Sequence, residues 1–115
     1  MSITPTTLQP GIVLANGTPG ALITGAVNAT TVITRAVASN VSGGAVTLTL
    51  YRVPSGGAPG AGNAIVNGRS IAASPTTDLC PELAGMVLAP GDTIQGDANA
   101  ASAINFFASG YTVTT

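Results

Sequence analysis

The chain has 115 residues, of which 45% are apolar and only 6% are charged, and its net charge is −1. Three arginines are its only cations, so it offers no basic stripe for nucleic acid, and its apolar fraction is too high for a disordered chain. The single cysteine, Cys80, excludes an internal disulfide, and a chain without histidine lacks the usual base of serine and cysteine nucleophiles. We therefore expect one globular domain that is not an enzyme and has no cofactor and no metal.

The first residues and the hydropathy pattern indicate where in the cell such a protein is expected. No apolar run is long enough to span a membrane, and the first residues lack the basic-then-apolar layout of a secretory signal. We therefore expect a protein that is made in the cytoplasm, is not exported and does not contact a membrane. A net charge near zero protects weakly against association. The low charge reflects either compositional drift or a surface that lies largely against another protein, and we favour the second explanation.

Residues 1–10 are expected to form an N-terminal arm, and residues 11–115 a single domain. Pro5 and Pro10 each remove a backbone donor, which opposes a central strand. Ile3 and Leu8 are the sizeable apolar side chains of this segment beyond Met1. Such an arm is either disordered in solution or ordered along a neighbouring subunit, where these two side chains would fill shallow pockets.

From residue 11 onward, apolar residues are mostly spaced by two, in runs bounded by Gly, Pro and Asn, which is typical of β-strands. The turn residues at 40–44 predict that the strands on either side of them form an antiparallel hairpin. Six to eight short antiparallel strands predict an all-β fold, a single β-sandwich or jelly roll. The predicted strands are 11–15, 21–27, 31–39, 45–53, 64–73, 93–98 and 103–114.

Two segments between these strands are predicted to have other conformations. The Gly- and Pro-rich segment 54–62 is expected to be a surface loop. Residues 77–83 are expected to form one helical turn, with Thr77 or Asp78 as its cap and Pro81 early in the turn.

Few residues of the chain have the chemistry for catalysis or metal binding. Asp92 and Asp97 form a conceivable glycosidase pair, but Asp92 follows Pro-Gly, where an aspartate typically caps the turn backbone. A calcium site of Asp92, Asp97 and Asn99 fits no known loop spacing. Cys80 lies between Leu79 and Pro81, which favours a small buried residue over a reactive thiolate.

Two predicted strands are apolar on both faces. In the last strand, Phe106 and Phe107 are adjacent, so an undistorted strand points them to opposite faces and only one can fill the core. Either a bulge restores a one-sided pattern, or a loop, a terminal arm or a neighbouring subunit covers the second face. Arg52 is expected at the rim of the sheet, where it pairs with a carboxylate or contacts a partner. The interface residues predicted in this way are Ile3, Leu8, Arg52, Phe106, Phe107 and Tyr111.

Four segments of the chain also carry a similarity to known proteins. They are RAVASN at 35–40, AVTLTLY at 45–51, ELAGMVLAPGDTIQ at 82–95 and AASAIN at 100–105. Together they resemble small virion proteins of tailed bacteriophages, over residues 31–114. The resemblance implies a β-sandwich or jelly roll, and a virion component that decorates or cements the capsid or belongs to a tail or fibre. It carries no catalytic residue over to this chain.

The leading hypothesis is a capsid decoration or cement protein that binds and stabilises the assembled head. Its partner would be the major capsid protein or another virion protein, and the chain itself is expected to form a homo-oligomer located in the virion. The alternative is a tail or fibre domain that binds a host glycan or surface protein. A sugar site needs an exposed aromatic platform, which only Tyr51, Phe106, Phe107 and Tyr111 could supply.

Overall fold

The computed structural model describes residues 2–73 and 77–114, with 77–79 described by their backbone alone. The regular secondary structure of this part is almost entirely β, which confirms the predicted all-β fold class. Its strands are β1 (Ser2–Val13), β2 (Gly20–Thr24), β3 (Thr30–Asn40), β4 (Val46–Val53), β5 (Ala64–Ile71), β6 (Thr77–Leu79), β7 (Val87–Leu88), β8 (Thr93–Ala98) and β9 (Ile104–Thr114). Two short 3₁₀ turns, Ala61–Asn63 and Pro81–Leu83, lie between strands. Over these described ranges, no helix has the length and apolarity needed to cross a bilayer.

The strands form two antiparallel sheets whose pairing is nested along the chain. Sheet A has the order β1-β9-β3-β6, with β7 also paired to β3, and sheet B has the order β2-β8-β4-β5. The first strand thus pairs with the last, β2 with β8, β3 with β6 and β7, and β4 with β5. This is the pairing of one long hairpin wrapped into two facing sheets. The fold is therefore a jelly roll.

The core lies between the two sheets and follows the strand alternation. In β4, Val46, Leu48 and Leu50 are buried while Thr47 and Thr49 are half-exposed. Burying one such aliphatic side chain contributes about 1.5–3 kcal/mol, so these rows fix which face of each strand points inward. The largest fully buried side chains, drawn from both sheets and their connections, include Leu14, Ile23, Ile33, Leu48, Leu50, Ile71, Leu83, Leu88, Ile94, Ile104 and Phe106.

The hairpin predicted from 31–39 and 45–53 is wrong, because the two strands lie in different sheets. β3 pairs with β9, whereas β4 pairs with β5 and β8. The connection crosses from one sheet to the other and is held by the buried Asn40, whose Nδ2 donates to the carbonyls of Gly44 and Ile71 at 2.9 Å each. Its Oδ1 accepts the backbone N–H of Ser42. Turn residues specify that the chain reverses, but not which sheet it enters next.

The predicted arm, residues 1–10, also needs correction, because residues 2–10 are the first part of the edge strand β1. Its register runs along β9 from Ser2 opposite Thr114 to Val13 opposite Asn105, with irregularities on both sides of Gln9. The domain boundary drawn at residue 10 therefore falls inside a strand; Met1 lies outside the described residues. Proline opposes a central strand but is accepted at an edge, where one side of the backbone has no neighbour.

A bulge interrupts β3, one of the two strands predicted to be apolar on both faces. Its register on β9 shifts between Ile33 and Arg35. Before the shift Thr31 and Ile33 are buried, and after it Ala36 and Ala38 are buried. One extra residue in the strand thus keeps the same face turned to the core over its whole length. Val32 and Val37 lie on the opposite side, so the strand stays apolar on both faces in spite of the bulge.

The helical turn predicted over 77–83 is shorter than expected. Thr77–Leu79 is a strand paired with β3, and only Pro81–Leu83 forms a 3₁₀ turn, following the buried Cys80. For residues 77–79, pairing with β3 therefore determines the conformation, against the local sequence features that favour a helical turn. The caps considered at Thr77 and Asp78 depend on side chains outside the described part.

Candidate binding face

The adjacent phenylalanines of β9 point to opposite sides of sheet A. Phe106 is completely buried, whereas 40% of Phe107 is exposed. The ring of Phe107 lies over Gly11 of β1, where a Cβ atom would come within 2.9 Å of ring carbon Cε2. Gly11 also has a φ of +146°, so a side chain there would be strained as well as crowded. The opposed orientation predicted for the pair is confirmed, while the interface role of Phe107 stays a prediction.

The side of sheet A that faces away from the core, called here the outer face of sheet A, is mainly apolar. The register places Ile3 beside Val113 and Pro5 beside Tyr111, all on this side. Clusters of exposed apolar side chains of this kind typically mark an interaction site. Four of the six exposed large apolar residues in the described chain lie on it: Ile3 (58%), Val13 (52%), Val87 (49%) and Phe107 (40%). Its half-buried apolar members are Val32, Val37, Tyr111 and Val113.

Sheet B presents a different surface to the solvent. Its outward positions on β4 and β8 are polar side chains in register, with Thr49 opposite Asp97 and Tyr51 opposite Gln95. Tyr51 is the one aromatic residue among them. The two sheets share one core, yet only sheet A has an apolar face that nothing in the described chain covers.

One polar row crosses the middle of the outer face of sheet A. Thr7, Ser109 and Arg35 are direct register partners across β1, β9 and β3. Thr34, in the bulge of β3, donates its hydroxyl to the carbonyl of Ser109 at 3.1 Å. Arg35 is exposed, and no ion pair or hydrogen bond links its side chain to the described residues.

Two shallow grooves flank Arg35. The first has a volume of about 280 Å³ and contains Phe107 and Val37 on its apolar side. The second has a volume of about 250 Å³ and runs over Ala36, Pro81 and Ala84. The guanidinium therefore lies between two largely apolar depressions.

Arg52, predicted at a sheet rim, forms an ion pair with Asp92. Its Nη2 donates to Asp92 Oδ2 at 3.1 Å and to the carbonyl of Val87 at 3.0 Å, so it ties β4 to β7 across the end of the sandwich. The buried Asp92 also accepts the backbone N–H groups of Ser55 and Ala89, at 2.9 and 3.1 Å. The turn-capping role predicted for Asp92 is confirmed. The two hydrogen bonds of Arg52 are both made to residues of the same chain.

Asp92→Asn should lower the Tm at neutral pH. The N–H of Ser55 is the main cause that lowers the pKa of Asp92; burial opposes it, and Ala89 and Arg52 add to it. A carboxyl group whose pKa is lowered on folding stabilises the fold at pH values above its unfolded pKa, which is about 3.9. This stabilisation is lost as the pH falls through the pKa of the folded state. Thermal melts of wild type and variant should therefore differ near pH 7 and converge in strong acid.

Asp97→Asn is the matched control, because the same substitution should act in the opposite direction. Desolvation raises the pKa of Asp97, so its ionised form is a small cost to the fold. This variant should melt at or above the wild-type temperature near pH 7. Equal losses for both variants would show that the Asp92 carboxylate has no special part in the turn.

The calcium site considered at Asp92, Asp97 and Asn99 gains no support from the geometry. The Asp92 carboxylate is occupied in its turn, and Asn99 Oδ1 accepts the N–H of Thr47 at 3.0 Å. Within the described ranges, no three His, Cys, Asp or Glu side chains are grouped so as to hold a metal ion.

The six predicted interface residues fall into three groups. Ile3, Phe107 and Tyr111 share the outer face of sheet A. Leu8 packs against the core and Phe106 fills it, while Arg52 is held in its ion pair. The sequence did not point to the exposed Val13, Val87 and Arg35 of the same face. The alternation of the first strand would have indicated Val13. The two-faced pattern of β3 allowed a bulge, but the position of the bulge beside Arg35 depends on the register with β9.

Comparisons of the chain with protein-family models, with curated proteins and with solved structures find no match. The outer face of sheet A is therefore the main physical guide to function.

Proposed function

We propose that the chain is a non-enzymatic virion protein of a bacteriophage, one that decorates or cements the assembled head through the outer face of sheet A. The observation that carries the proposal is the asymmetry of the sandwich, with one apolar and one polar outer face. A small protein that lies on a larger assembly needs one face to bury and one face that stays in water. The jelly-roll fold, which recurs in viral capsid domains, and the resemblance to small virion proteins support the same function.

Attachment of this kind works through burial of the apolar face against the major capsid protein or another virion protein. Each Å² of apolar surface removed from water contributes about 25 cal/mol before the costs of association. A protein that binds only the assembled shell stabilises that shell by mass action. Many copies on a symmetric shell multiply the effect, so a modest affinity per copy is sufficient.

The proposal is tested by mixing the purified protein with undecorated capsids of the same phage and imaging them by electron cryo-microscopy. We expect regular copies at symmetry-related positions, with sheet A against the shell. Val87→Lys, which puts a charge on the outer face of sheet A, should abolish the added density. Asn67→Lys puts the same charge at an exposed position of sheet B and should not. Bare capsids with the wild-type protein, or loss with both variants, would contradict the proposal.

A second function, a tail or fibre domain that binds a host glycan, is favoured by one observation. Phe107 offers an exposed aromatic ring in a groove that also contains Thr7, Arg35 and Ser109, which is the kind of platform that a sugar requires. A glycan array would separate the two functions. Specific binding that is lost in Phe107→Ala, together with bare capsids, would favour the tail domain.

A further inference from the structure

We infer that the partner surface presents a carboxylate between two apolar clusters, and that Arg35 receives this carboxylate. The inference deepens the proposed attachment through the outer face of sheet A and rests on it. It identifies the occupant of that face as a protein surface with an acidic residue in an apolar setting.

The layout of the face is the first reason. Val13, Val37 and Phe107 lie on one side of the polar row, at one end of the sheet. Ile3, Tyr111 and Val113 lie on the other side, at the opposite end. Any surface that covers both apolar clusters also covers Arg35, because its row runs between them.

The cost of covering an arginine is the second reason. A guanidinium that loses its water without an anion beside it carries a large desolvation penalty. A carboxylate removes that penalty and matches the planar donors of arginine with two parallel hydrogen bonds. The two grooves that flank Arg35 leave room for apolar groups on both sides of such a carboxylate.

Among the residues that the structure describes, a second copy of this chain docked face to face has no acidic side chain placed to supply that carboxylate. Among the described side chains, Glu82 pairs with Arg69, Asp92 is held by Arg52, and Asp97 belongs to sheet B. The outer face of sheet A thus has a cation at its centre and no described acidic group to complement it. Charge complementarity therefore favours a different protein as the occupant.

Two synthetic peptides provide a direct test. They have identical apolar flanks of valine and leucine and differ only in a central Glu or Gln. In a titration followed by NMR, we expect the Glu peptide to shift the Arg35 Nε–Hε signal and the Phe107 amide. Its affinity should exceed that of the Gln peptide by about tenfold or more, which is about 1.4 kcal/mol.

Matched variants locate the effect. Arg35→Gln should remove the preference for Glu, and because Arg35 is exposed it should leave the Tm unchanged. Arg69→Gln removes the same charge from the sheet B side, where Arg69 pairs with Glu82, and should keep the preference. Equal affinity for the two peptides, or failure to bind either, overturns the inference. The inference is also overturned if the protein binds glucuronate in preference to glucose. It is overturned as well if sedimentation shows a dimer of this chain that Phe107→Ala dissociates.

Capsid binding by Arg35→Gln separates this inference from the proposed function. If the wild type decorates capsids and Arg35→Gln does so with equal affinity, the carboxylate inference fails while the decoration function stands. If capsids stay bare while the wild type still prefers the Glu peptide, the decoration function fails and the chemistry of the face stands.

Discussion

Phe106→Ala should unfold the domain or leave it barely stable, whereas Phe107→Ala should leave it folded and unable to attach. Phe106 is fully buried in β9, and truncation of a buried phenylalanine costs about 3–5 kcal/mol, much of the stability of a typical small domain. Phe107 contacts Gly11 on the surface, so its removal should cost about 1 kcal/mol or less. Urea denaturation measures the first difference and capsid co-sedimentation the second.

The conservative variant Phe106→Leu keeps this comparison informative if Phe106→Ala does not fold. It should retain the fold at reduced stability and bind capsids with wild-type affinity, because position 106 does not reach the outer face. Phe107→Leu should bind with intermediate affinity. If the two alanine variants lower the free energy of unfolding equally and both still decorate capsids, Phe107 is not an interface residue.

Period-two alternation was sufficient to locate most of the strands. β4 and β8 agree with the predicted segments 45–53 and 93–98 to within one residue, because each has one face fully buried and the alternation is clean. The opposed directions of Phe106 and Phe107 follow from the same rule. These properties are local, since they depend only on a strand being straight and on one of its faces being buried.

Properties that depend on contacts between distant segments could not be predicted in this way. The turn at 40–44 looks the same in sequence whether it closes a hairpin or crosses between sheets, and only the partners of β3 and β4 decide. The bulge in β3 is set by its register on β9, and the Thr34–Ser109 hydrogen bond links two residues that are 75 positions apart in the sequence. Arg35 was missed as a site residue for this reason.

Deleting residues 2–10 should destabilise the domain strongly. The structure reverses the expectation for a free arm, because the deletion removes Leu8 from its contact with the core and breaks the 2.7 Å hydrogen bond from Gln9 to the carbonyl of Leu22. It also exposes the edge of β9 over much of its length, which favours aggregation. We expect a loss on the order of 2–4 kcal/mol, the range of a large core truncation, measured by urea denaturation.

Deleting only residues 2–4 is the control that separates stability from attachment. These side chains are exposed, so their loss should leave the free energy of unfolding nearly unchanged. Ile3 nevertheless belongs to the outer face of sheet A, beside Val113, so the short deletion should weaken capsid binding. A long deletion that keeps the wild-type stability would mean that the segment behaves as an arm. If the short deletion keeps full capsid binding, this end of β1 is not part of the attachment face. The reason is that the loss of an apolar residue that is buried on binding lowers the affinity.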